Sequence, residues 1–337
     1  MVAIPPFYIV PGSAVKDAIA RKRSAVFEAV EQAYRLYAAK DAINPDSYFL
    51  RFPDRPNARI IALPAHLGGS IQKSGIKWIS SFPDNRQSNL ARASAVQILN
   101  DAVTGYPIAC LEASLISATR TAVSAALAAE RLTPNPYEGT LGIVGTGVIA
   151  RETVRWLLYR KWKFQKVLLF DLDPRESQQF RAWLADEHGV ASEVVSALES
   201  AVRANLIIFT TTTGEPYLSD VGLFSHKPTV LHLSLRDIDV PVILASQNIV
   251  DDVDHCLKAR TSLHLCEIAT GSRDFVHGTL VDVLDRRVRL DNDRPRIFSP
   301  FGMGILDIAV SDIVLSTAVA EGSALALPSF FSNSERW

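Results

Sequence analysis

Arg51, Lys77 and Arg120 each stand inside an otherwise apolar run, at residues 49–52, 75–79 and 117–122. An unpaired buried cation is costly, so each must find a structural partner, snorkel to water, or meet an anionic ligand. Taken singly, each reads more readily as a structural pair; three in one stretch of chain point to a cleft that binds substrate carboxylates, where arginine offers a two-pronged contact. Asp237 ends the run 232–237 at the carboxyl end of a predicted strand, the end at which doubly wound sheets collect their ligands. It reads equally as an acid/base or as a helix cap before Val240 and Pro241. Arg236 beside it suits either a further carboxylate or an ion pair with Asp237 or Asp239.

A second group of residues concerns a phosphate. An apolar strand over 141–144 runs into Gly145, Thr146, Gly147, Val148, Ile149 and Ala150, and then into a helical pattern. Gly145 allows the tight turn, Gly147 lets backbone N–H groups approach a pyrophosphate, and small Ala150 lets the helix pack on the strand. The pyrophosphate would sit on the positive end of that helix. A second apolar strand over 167–170 ends in Asp171, where a carboxylate grips a ribose 2′-hydroxyl and repels a 2′-phosphate. NAD is therefore expected, with Arg175 nearby leaving NADP as the alternative. Thr211 and Thr212, in the loop 210–213, either line the nicotinamide end or cap a strand. Ser234 and Leu235 lie in the loop that carries Asp237, and Ser299 and Met303 belong to the run 299–304, whose glycines permit close approach to a cofactor or simply form a turn.

The elements that must hold these residues fall into two kinds. Over the first 110 residues a helical stretch at 13–40, with Ala25, Phe27, Val30, Tyr34 and Tyr37 at helical spacing, is followed by strand-like segments at 48–52, 59–64, 76–79, 93–99 and 106–111. Pro53 to Asn57 reads as a hairpin turn. This block is mainly antiparallel. After an alanine-rich helix at 112–132, strands near 141–144, 166–170, 190–195, 205–209, 229–233 and 248–251 alternate with helices, the signature of an α/β, Rossmann-type doubly wound parallel sheet. A last helix spans 305–321. The expected division is 121–308 for the dinucleotide-binding domain, with 1–120 and 309–337 forming an α+β substrate-binding domain.

Bulk properties narrow the class. With 337 residues the chain is ample for about two domains, and 35 basic against 36 acidic residues without a basic stripe exclude a nucleic-acid or membrane surface as partner. A small metabolite is expected instead. Cys110, Cys256 and Cys266 do not form a disulfide framework, which favours a reducing cytoplasm. His255–Cys256 and His264 with Cys266 contain ligand types but lack paired zinc spacings, so no metal is expected.

Residues 75–77, Pro83 with Asn85, the run 104–107, the run 117–122 and Gly145 with Gly147 together resemble the ornithine cyclodeaminase/mu-crystallin family over nearly the whole chain. The resemblance implies a homodimer in which the first domain binds substrate and mediates dimerisation, and in which the last helix returns to that domain. It implies that Arg51, Lys77 and Arg120 hold the substrate carboxylate, that Asp171 holds the adenosine ribose, and that Asp237 and Lys77 are catalytic, with Asp237 the acid/base. Runs 77–85, 92–95 (with Ser94), 232–237 and 299–304 are similar to a dehydrogenase branch whose substrate is a glutamate carrying a 2-amino-2-carboxyethyl group on nitrogen. Two departures favour that branch over ornithine cyclisation: Ser80 stands where the cyclodeaminases usually have Asn, and no lysine follows Asp237 closely. Ornithine cyclodeaminase activity and a non-catalytic ligand-binding role are the competing expectations.

Overall fold

Helical spacing near the amino terminus resolves into two helices, because Lys22 leaves helical geometry (φ −110°, ψ 28°). The computed structural model describes residues 5–331. In order, the chain forms β1 (Phe7–Val10), α1 (Gly12–Arg21), α2 (Arg23–Ala38), β2 (Ala42–Ile43), β3 (Tyr48–Phe52), β4 (Arg55–Leu67), β5 (Lys73–Ser81), β6 (Ala93–Asp101), β7 (Pro107–Glu112) and α3 (Ser114–Leu132). In α2 the buried face is Val26, Phe27, Val30, Ala33 and Tyr34. Ala25 and Tyr37, expected on that face, are only half-buried, and Val26 and Ala33 take their places. The hairpin turn is shorter than expected: only Pro53 and Asp54 lie outside the strands, and β4 already begins at Arg55.

The alternating part continues with β8 (Glu138–Val144), α4 (Val148–Tyr159), β9 (Lys163–Phe170), α5 (Pro174–His188), β10 (Glu193–Val194), α6 (Leu198–Val202), β11 (Leu206–Phe209), β12 (Thr229–His232), α7 (Val240–Ala245), β13 (Gln247–Val250), α8 (Val253–Cys256), α9 (Ser262–Thr270), β14 (Val276–Thr279), α10 (Leu280–Leu284) and β15 (Arg296–Ser299). Its sheet is wholly parallel, in the order β10-β9-β8-β11-β12-β15-β13-β14. The order reverses between β8 and β11, the switch point where such sheets bind ligands. β11, β12, β13 and β15 are buried at every position, as expected of strands covered on both faces. In this sheet two strands, β14 and β15, were not expected from sequence: the first carries His277 and Gly278, and the second opens on a buried arginine, Arg296.

The chain closes with α11 (Gly304–Ala320) and β16 (Leu325–Leu327). It divides into two units, Met1–Arg120 with Met303–Trp337, and Thr121–Gly302. The return to the first unit thus begins before the expected residue 309, because α11 starts at Gly304 and its first turn packs on β4; a side chain at Gly304 would stand 3.1 Å from Ala65 Cβ. The first unit's sheet runs β16-β1-β7-β6-β5-β4-β2, with β3 on the same edge of β4 as β2. All its pairings are antiparallel except β1 with β7. Among the described residues, no helix is long and apolar enough to cross a membrane.

Candidate active site

Gly145 follows β8 with φ +86°, and a Cβ there would lie 2.9 Å from the Thr210 carbonyl, so both the turn and its approach to β11 require glycine. α4 then begins with Gly147 as its N-cap, with no side chain capping it and open space where a Cβ of Gly147 would stand. Its first turn therefore offers N–H groups and the positive end of the helix dipole without a side-chain competitor. Val148 beside them is 71% exposed, whereas Ile149 is half-buried. At the end of β9, Asp171 accepts from the Thr146 N–H (2.8 Å) and hydroxyl (3.1 Å) and from the Asp173 N–H (3.0 Å). Those three bonds fix the carboxylate beside the turn. Arg175 is engaged elsewhere, in a two-pronged contact with Asp173 (3.0 and 2.8 Å). The residues present fit a dinucleotide.

In the same unit, the loop after β12 builds a carboxylate centre. The helix-cap alternative for Asp237 falls away, since Asp239 is the N-cap of α7 and its side chain accepts from the Val240 N–H. Asp237 is fully buried. Its Oδ1 accepts from the Thr211 hydroxyl (2.5 Å) and the Tyr217 hydroxyl (2.8 Å), and its Oδ2 accepts from the Ser234 hydroxyl and meets His232 Nε2 at 3.1 Å. Burial pushes the Asp237 pKa up, but His232 and the hydroxyls more than offset this, so the carboxylate stays below its ordinary range. The backbone N–H of Asp237 also points at His232 Nε2 (3.2 Å). A protonated Nε2 donates to Oδ2, whereas an unprotonated one accepts the backbone N–H, so the nitrogen makes one of these two bonds at a time. His232 Nδ1 meets the Ser299 hydroxyl at 3.2 Å.

Leu235 adopts φ +69°, an uncommon conformation for a non-glycine residue, and its carbonyl accepts from the Ser262 N–H. That turn brings Ser234 and Asp237 together. Asp251 performs a similar task for the loop after β15, accepting from the N–H groups of Phe301 (2.9 Å) and Gly302 (2.7 Å). Thr212 is exposed, and Arg236 donates to the Ala259 carbonyl (2.8 Å).

The first unit brings two of its three expected cations together. Lys77 is buried, donating to Asp307 Oδ2 (2.7 Å) and the Ser117 hydroxyl (3.0 Å), and Arg120 Nε donates to Asp307 Oδ1 (3.3 Å). Asp307 lies in the first turn of α11, where the helix dipole favours an anion. Burial lowers the Lys77 pKa to about 8, with Asp307 pulling it up and Arg120 pushing it down. Two cations share one carboxylate, leaving a single net positive charge for a ligand. Arg51 is not in this cluster: it is exposed, with its guanidinium 5.1 Å from the Phe49 ring centroid. Ser94 is exposed and bonded to Ser80 (2.9 Å). Met303, at the N-cap of α11, is wholly buried.

No role was read from sequence for Asp307, Tyr217 or His232, although His232 opens the run 232–237. Asp307 carried a usable signal, since it and Asp312 are the only charged residues of a largely apolar helix, the same reasoning that singled out the cations. Tyr217 carried none, because only the fold brings residues 217 and 218 against the Asp237 carbonyl, to which both donate.

The family model described as the ornithine cyclodeaminase/mu-crystallin family matches residues 13–322. The chain is 30% identical over 304 residues to N-((2S)-2-amino-2-carboxyethyl)-L-glutamate dehydrogenase of Staphylococcus aureus, covering 86% of this chain and 89% of that protein. It is 27% identical to alanine dehydrogenase of Archaeoglobus fulgidus, covering 87% and 90%. Among solved structures, an archaeal alanine dehydrogenase dimer with bound NAD superposes with a TM-score of 0.86 at 24% identity, covering 97% of this chain and all of that one.

Proposed function

The chain belongs to the ornithine cyclodeaminase/mu-crystallin family and is an NAD-dependent oxidoreductase; from that premise we propose that it oxidatively cleaves N-(2-amino-2-carboxyethyl)-L-glutamate to L-2,3-diaminopropionate and 2-oxoglutarate. The observation that carries this reading is the buried Asp237 carboxylate. It is held ionised at the strand end beside the switch point and is surrounded by hydroxyls, one of them on the loop that follows β11. The choice of substrate is supported by the similarity to the Staphylococcus aureus dehydrogenase.

In this reading Gly147, Val148 and Ile149 face the dinucleotide phosphates, Asp171 holds the adenosine ribose, and Thr146, Thr211, Thr212, Ser234, Leu235, Ser299 and Met303 complete the cofactor's surroundings. Bound NAD supplies the acceptor for the hydride that leaves the glutamyl Cα, which makes the Cα–N bond an iminium. Lys77 and Arg120 fix the α-carboxylate, so that the Cα–H bond is held in one orientation. The Asp237 carboxylate stabilises the iminium charge and takes a proton from the water that attacks carbon; it then returns a proton to nitrogen as the C–N bond breaks. His232, 3.1 Å from Oδ2, helps to position that carboxylate. Lys77, whose proton is lost near pH 8, serves in its ammonium form.

The test is to incubate the protein with NAD and the glutamate adduct and to measure NADH, 2-oxoglutarate and diaminopropionate. Equimolar formation of all three is expected. Proline formed from ornithine without net NADH would replace this reading by cyclodeamination.

A further inference from the structure

The charge of the Lys77 cluster sets the problem. Lys77 and Arg120 against Asp307 leave one net positive charge, enough for one carboxylate. A glutamate-derived substrate brings more than one.

β5 runs without a bulge from Lys73 to Ser81, so Lys77 and Ser81 lie on one face of the sheet, roughly 13 Å apart along the strand. Ser81 is opposite Arg59, and Arg59 is opposite Arg51. Arg92, just before β6, reaches the same face from the other side, its Nη1 donating to the Ser81 hydroxyl at 2.7 Å. A row of arginines therefore crosses the sheet on the Lys77 face. Among the described residues, Arg92 makes no ion pair, and the Ser81 hydroxyl takes only one of its five N–H donors. Burial, and then the neighbouring Arg86, lower the Arg92 pKa, the direction expected of a partly desolvated cation without an anion. Arg51 likewise makes no ion pair among the described residues, its guanidinium resting over Phe49.

We propose that Arg92, assisted by Arg51, forms a second carboxylate subsite that takes the side-chain carboxylate of a 2-oxo-dicarboxylate or of the amino acid from which it derives. The position of its partner carboxylate on Lys77 and Arg120 rests on the function proposed above; the arginine row does not. Ser81 orients the Arg92 fork by occupying one N–H, leaving the others for two-pronged capture. The subsite selects substrates by the presence of a second negative charge, and it explains how a cluster with one surplus charge serves a polyanionic substrate.

Two open-chain ligands that differ in that charge give the test: 2-oxoglutarate and its side-chain methyl ester, titrated calorimetrically into the NADH-loaded wild type, R92Q and R92K. The wild type should bind 2-oxoglutarate at least about 10-fold more tightly than the ester, the size of effect expected for a charge-assisted, two-pronged contact. R92Q should bind the two alike, and R92K should recover part of the preference, since it restores charge but not the fork. R51Q should reduce the preference by a smaller factor. Equal binding of the two ligands by the wild type, or an undiminished preference in R92Q, would overturn the proposal. A preserved dicarboxylate preference with no NADH formed from the glutamate adduct would leave the subsite standing and remove the substrate assignment.

Discussion

Two buried charges, Asp237 and Lys77, each make a prediction at the scale of single residues. Asp237→Asn keeps the shape of the centre but cannot take a proton from water, so kcat should fall roughly 10²–10⁴-fold while NAD still binds, as stopped-flow and fluorescence titration would show. Retained turnover would remove Asp237 from the chemistry. Lys77 is lowered to about 8 from the ordinary 10.5. In the reaction proposed its ammonium form binds the α-carboxylate, so KM should rise as pH increases through that value, and Lys77→Arg should carry a flat KM to higher pH. The sign for stability is opposite: burying the ammonium opposes folding below about pH 8, and this opposition is relieved between about 8 and 10.5. Asp171→Ser, measured as the ratio of kcat/KM for NAD to that for NADP, should lower the preference for NAD; an unchanged ratio would show that Asp171 does not face the ribose. Arg175 should add little to NADP use while Asp173 holds it.

At the scale of elements, α11 anchors the cation cluster to the first sheet. Its buried residues include Ile305, Leu306, Ile308, Val310 and Val314, and Asp307 sits among them. Asp307→Ala leaves Lys77 buried without its carboxylate, which should cost about 3–5 kcal/mol in chemical denaturation, since breaking a buried pair strands the partner. The double variant Lys77→Met, Asp307→Leu should recover much of that loss without recovering activity. An unaltered denaturation midpoint for Asp307→Ala would mean that the pair does not hold this corner of the fold together. Elements with one dominant pattern were legible from sequence: the glycine turn with its flanking strands, the alanine-rich α3, and the antiparallel strands β3 to β7. β14 and β15 were not, because His277 and Gly278 interrupt the first and Arg296 and Ser299 bound only two apolar residues in the second, so that burial in the sheet and not periodicity defines them. The site divides in the same way. Asp237 was visible as an acid at a predicted strand end and Lys77 and Arg120 as cations in apolar runs, whereas the contacts of Asp307 with Lys77 and of Tyr217 with Asp237 join residues far apart in sequence or in separate loops.

For the whole molecule, the homodimer implied by the sequence resemblance is open to a direct test. Sedimentation equilibrium should give about twice the 36.9 kDa of one chain; a single-chain mass at micromolar concentration would refute the dimer. In the reaction proposed, the glycine turn and Asp237 of one unit and the Lys77–Arg120–Asp307 cluster of the other serve one net oxidation of a glutamate-derived Cα–N bond. The most direct measurement follows NADH with NAD and N-(2-amino-2-carboxyethyl)-L-glutamate in the wild type, Lys77→Ala and Asp237→Asn. One NADH per 2-oxoglutarate released is expected in the wild type, with severe loss in both variants; NADH formation that survives either substitution, or none with the wild type, would contradict the proposed oxidation.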